Sequence, residues 1–123
     1  MGEARHYTVE EANAALERLR ELLPAIRDAR RALLETGEHV RGVAVRNGGG
    51  AEGAGYMRSM AALREGLKSL SGDGIILRDA ETGLVDFPAL SEGREIYLCW
   101  RLGEDEVAHW HELDTGMAGR RPL

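Results

Sequence analysis

His109-Trp110-His111 is the segment of this chain best suited to chemistry. On a strand, residues i and i+2 point to the same face, so both imidazoles could meet one metal ion. Asp86, Glu104, Glu112 and Asp114 supply candidate carboxylate ligands. The competing reading is structural: one histidine is buried and hydrogen-bonded, the other sits at a rim. Cys99 near a histidine suggests a nucleophile. However, no helix N-terminus or basic cluster follows it to lower its pKa, so a packed cysteine is the simpler expectation. Asp79 and Asp86 suit an acid/base pair across a hairpin, or else an aspartate that satisfies turn amides. Arg120-Arg121 could hold a carboxylate or phosphate, or dock the tail by pairing with Glu104 or Asp86. Trp100 and Trp110 read most simply as core or interface residues.

Most of these side chains lie in residues 74–123, which hold both tryptophans, the single cysteine and the single phenylalanine. That part carries five arginines against ten acidic residues, so the whole net charge of −5 lies there. Such a surface repels phosphates and argues against nucleic-acid binding. The 123 residues fit one domain, 1–123, with a modest core. No apolar run approaches the ~20 residues of a membrane span. The opening MGEARHYTVEE has no apolar stretch of a signal peptide. A lone cysteine forms no internal disulfide, and a cytoplasmic setting is expected.

The elements that must position these residues read as α+β: a helical hairpin plus one further helix, packed with a four-stranded antiparallel sheet. Thr8-Val9-Glu10-Glu11 is a capping box. Beyond it an apolar stripe runs through Val9, Ala12, Leu16, Leu19, Leu23, Ile26, Leu33 and Val40. Pro24 falls inside the stripe, so a break is expected near Leu22, with helices over roughly 8–22 and 24–46. Residues 47–55 contain five glycines and read as a mobile loop within the helical part, 1–73. Tyr56, Met60, Leu63, Leu67 and Leu70 mark a third helix, antiparallel to the second. Ile75–Arg78 and Leu84–Phe87 form a hairpin around Asp79–Gly83, and Pro88 should end its second strand. Arg94–Arg101 and Glu106–His111 form another hairpin, followed by an irregular tail.

The register of that second hairpin decides what shares a face. A two-residue turn at Gly103-Glu104 sets Leu98 opposite His109 and Trp100 opposite Val107, and is slightly favoured. A three-residue loop, Gly103-Glu104-Asp105, sets Cys99 opposite His109 and Tyr97 opposite His111. It would gather Tyr97, Cys99, His109 and His111 on one face.

Four blocks form a signature: Tyr7–Asn13, Gly83–Pro88, Leu98–Glu104, and Trp110-His111 with Gly119–Leu123. Together they resemble a family of small bacterial proteins, domain of unknown function 2203. The resemblance covers nearly the whole chain. It implies helices first and a small sheet after, and sets Asp86, Cys99, Trp100, Glu104, Trp110, His111 and Arg120 at signature positions. It brings no activity, cofactor or catalytic residue with it.

The first functional expectation is a cytoplasmic interaction module that forms a homodimer through its heptad-patterned helices, with helix 1 as the unpartnered element. The alternative is a metal- or small-ligand-binding domain, possibly a hydrolase. His109 and His111 would hold a divalent metal such as zinc, and Asp86, Cys99, Glu104 and Arg120 are the further ligand-binding candidates.

Overall fold

A computed structural model describes residues 5–47 and 50–123, with side chains for 5–35 and 53–123. Two helices, α1 (Val9–Asn47) and α2 (Gly50–Gly72), precede five strands: β1 (Ile76–Asp79), β2 (Leu84–Ser91), β3 (Arg94–Arg101), β4 (His109–His111) and β5 (Arg121–Pro122). A 3-10 turn, Gly116–Gly119, lies between β4 and β5. The strands form one antiparallel meander in the order β1-β2-β3-β4-β5. The α+β class is as the sequence implies, with five strands where four were expected. The fifth comes from the tail.

The helical layer differs from expectation. The capping box forms, with the Thr8 amide donating to Glu11 Oε1 at 2.9 Å and the Glu11 amide to Thr8 Oγ1 at 3.0 Å. The expected helices 8–22 and 24–46 are then one helix that continues through Pro24. An internal proline costs about 3 kcal/mol. Fully burying one leucine or isoleucine returns roughly 1.5–3 kcal/mol. Leu19, Leu23 and Ile26, on both sides of Pro24, are each at most 1% exposed, so the stripe outweighs the proline. The expected loop 47–55 is mostly helical as well: α2 starts at Gly50, and residues 48 and 49 lie outside the described ones. The two helices pack closely at Gly66, where a Cβ would come within 2.6 Å of Ile26 Cγ1.

One sheet face carries the core. Val85, Phe87, Ala89, Ile96, Leu98 and Trp100 point toward the helices and meet Leu16, Leu19, Leu23, Ile26 and Leu70. The Asn13 side chain accepts from the Val107 amide at 2.7 Å. This contact draws the β3–β4 connection, and the buried Val107, in under the helical layer.

Two strand readings are corrected. Pro88 does not end β2, which runs on to Ser91. Beyond Asp86 no strand among the described residues pairs with β2 on its β1 side, so the missing N–H of Pro88 breaks no ladder bond. Its carbonyl on that edge accepts from the Tyr7 amide at 2.7 Å. Glu92 and Gly93, both with positive φ, then make the two-residue turn into β3. The favoured register of the second hairpin is also overturned. Cys99 pairs with His109, Leu98 with Trp110 and Tyr97 with His111. No two-residue turn forms, because Glu104 is held twice by the last two residues of β3. Its carbonyl accepts from Trp100 Nε1 at 3.1 Å and its carboxylate from the Arg101 amide at 2.8 Å.

Candidate metal centre on the outer face of the sheet

The register of β2, β3 and β4 places Asp86, Cys99 and His109 in one row across the sheet, with Tyr97 and His111 in the next. Side chains alternate along a strand, so all five lie on the face turned away from the helices. Asp86, Cys99 and His111 are only 1–2% exposed. One ligand atom from each lies within 4.8 Å of the other two.

His111 is fixed from both sides. Its Nδ1 lies 2.6 Å from the Glu112 carbonyl, which can only accept, so Nδ1 carries a hydrogen. Its Nε2 lies 3.0 Å from both oxygens of Asp86. An ionised carboxylate also only accepts. One proton is therefore shared between the two groups, as an imidazolium–carboxylate pair or a neutral pair. The Tyr97 ring packs against the imidazole, with centroids 5.5 Å apart.

Two arginines border this group. Arg78 lies on the same face of β1 as Ile76, which pairs with Asp86, and its Nε donates to Asp86 Oδ2 at 2.7 Å. The guanidinium also lies 5.0 Å from the Tyr97 ring centre. Arg120, from the tail, pairs with Glu104 and reaches the Cys99 carbonyl at 3.5 Å. Burial alone would raise the Glu104 carboxyl, but the bonds from Arg120 and the Arg101 amide hold it below its ordinary value.

Cys99 is a poor nucleophile in this setting. Burial, reinforced by the Asp86 charge, pushes its thiol up to about 11, and Arg120 only partly opposes this. A cation among the three donors is what would make a thiolate here.

The candidate residues fall into distinct places. Asp86, Cys99 and His111 come together. Glu104 and Arg120 flank them as a pair, which is the tail-docking role read from the sequence. His109 is Cys99's neighbour in the same row, but it is outside the clustered donors, and its buried Nδ1 meets no partner among the described residues. Of the His109/His111 pair read from the sequence, His111 is the member that belongs to the donor group with Asp86 and Cys99. Among the other carboxylates, Glu112 pairs with Arg94. Asp79 caps its own turn, accepting from Thr82 Oγ1 at 2.7 Å and the Glu81 amide at 3.2 Å. Arg78 was missed altogether: strand alternation puts it on the outer face, but its diagonal reach to Asp86 on the next strand follows only from the register of β1 on β2.

The family model described as "Uncharacterized conserved protein (DUF2203)" matches residues 5–123. The chain belongs to this family. The match spans both helices and every strand, so this DUF2203 member carries the buried donors and their flanking arginine–glutamate pair within the matched region. No curated protein and no solved structure matches the chain. No helix among the described residues is long and apolar enough to cross a membrane.

Proposed function

We propose that this DUF2203 protein is a metal-binding domain, in which Asp86, Cys99 and His111 hold one divalent cation such as zinc. The observation that carries the reading is the convergence of sulfur, imidazole and carboxylate donors on one buried spot. The His111 Nδ1–H is committed to a backbone carbonyl, which is how ligating histidines are usually held, leaving Nε2 for the metal. A thiolate, an imidazole and one carboxylate suit zinc and discriminate against magnesium and calcium, which take oxygen ligands. A cation would replace the proton shared by Asp86 and His111 and would draw off the Cys99 thiol proton. Three protein ligands leave one position of a tetrahedral ion for water or a further ligand. The test is zinc titration against a chromogenic chelator. The protein should take up one equivalent. His111→Ala and Asp86→Asn should each weaken binding by more than about a hundredfold, beyond the loss typical of outer partners. Uptake unaffected by either substitution overturns the assignment.

A second reading, self-association through the helices, rests on Leu34, Met57 and Leu67, which are 57%, 66% and 41% exposed. The unpartnered first helix that prompted a homodimer does not exist, because the Ala12–Ile26 stripe is buried inside the chain. Light scattering should give twice the chain mass if the exposed residues pair copies. A monomer at high concentration ends this reading.

A further inference from the structure

We infer that the C-terminal strap, residues 112–123, is a latch over this site, and that the Arg120–Glu104 pair holds it shut. The inference rests on the metal-binding reading and concerns how an ion reaches its donors. With Asp86, Cys99 and His111 at most 2% exposed, no ion reaches them from solvent unless something moves. The sheet and helices behind them are held by the apolar core, whereas the strap is lightly attached. Its 3-10 turn buries no residue. Its strand β5 has only two residues, paired as Arg121 with Trp110 and Pro122 with His109. One more backbone bond, from the Leu123 amide to the Ala108 carbonyl at 2.9 Å, fastens its end. Leu123 is more than half exposed and Met117 more than a third.

Arg120 is the exception. In the register of β5 it falls on the same face as Pro122, beside the Cys99 row, and its guanidinium reaches both the Cys99 carbonyl and Glu104. It therefore lies across Cys99, while Arg78 covers Asp86 from the opposite edge. The closed strap also leaves two buried nitrogens without partners among the described residues, Arg120 Nε and His109 Nδ1. Unpartnered buried polar atoms raise the energy of the state that holds them. Local openings of this kind are drawn from segments with few buried apolar contacts.

The experiment follows Cys99 labelling by an aromatic disulfide in metal-free protein, so it stands whether or not zinc binds. Parent protein is compared with Arg120→Ala, Glu104→Gln and Arg78→Ala. Glu104→Gln keeps an acceptor for the Arg101 amide, and decides the matter if Arg120→Ala does not fold. Both latch variants should label at least about tenfold faster than the parent, with rates nearly independent of dilute urea, as a local opening requires. Zinc uptake, where the parent shows it, should quicken in the same order. Latch variants that label at the parent rate overturn the inference. So does acceleration that climbs with urea like global unfolding, or acceleration confined to Arg78→Ala. Fast labelling with no zinc uptake by any protein, parent included, leaves the latch standing and removes the metal.

Discussion

Phe87 and Asp86 are neighbours on β2, as Trp100 and Cys99 are on β3, and within each pair the residues face opposite sides of the sheet. All four are at most 1% exposed. The inner face reaches that burial with apolar side chains pressed under two helices. The outer face reaches it with a carboxylate, an imidazole and a thiol, bordered by arginines and a short strap. Apolar burial is non-directional and scales with area. Polar burial is directional and costs energy at each group left without a partner. One face is therefore fixed by volume and the other by hydrogen-bond bookkeeping, and substitutions should damage them in different ways.

The largest effect is expected on the inner face. Trp100 is fully buried and donates its Nε1–H to the Glu104 carbonyl. Trp100→Ala should cost about 3–5 kcal/mol in denaturant unfolding. A loss below about 1 kcal/mol would contradict the inner-face packing.

The outer face should show coupling instead. Asp86→Ala leaves His111 and Arg78 facing a hole, and should cost about 3 kcal/mol or more. Replacing Asp86 and His111 together by apolar residues of similar size should cost less than the two single losses combined. Strict additivity would show that the pair is not an interacting unit.

A pH titration sharpens the contrast further. The folded thiol of Cys99 is raised to about 11, while an unfolded one ionises near its ordinary value. Above that ordinary value the unfolded chain loses its proton first, so stability should fall between about pH 9 and 11, by of order 2 kcal/mol. Below that window the thiol contributes no pH dependence. Cys99→Ala should remove the decline, and an unchanged profile would place the cause elsewhere.

The smallest effects lie in the helical layer that backs the inner face. Gly66→Ala drives a methyl into Ile26 and should destabilise by about 1–3 kcal/mol. Gly53→Ala meets nothing within 4 Å and should stabilise by roughly 0.5–1 kcal/mol, as alanine replaces glycine in a helix. Equal effects at the two positions would show that the helices are not in close contact at Gly66.

What the sequence made legible follows the same division. The apolar stripe of α1, the capping box, the turn at Gly83 and the burial of Trp100 all express local or area-scaled terms, and each is read from composition and period. Pro24 misled because local cost was set against no estimate of the burial on both sides of it. Pro88 misled because only the finished sheet shows that β1 stops short of it. The register of β4 depends on Glu104 folding back and on Asn13 holding Val107, contacts made 94 residues apart in the second case. The donor group inherits that dependence. Asp86, Cys99 and His111 were each singled out by type, but their meeting follows from a register that one residue of slip would have undone.

The account turns on one measurement, the zinc content of protein purified and titrated with parent, His111→Ala and His109→Ala side by side. Parent and His109→Ala should each take up one zinc per chain, and His111→Ala none, with all three equally folded by circular dichroism. Negligible uptake by the parent, or dependence on His109 in place of His111, would contradict the assignment of Asp86, Cys99 and His111 as a metal centre.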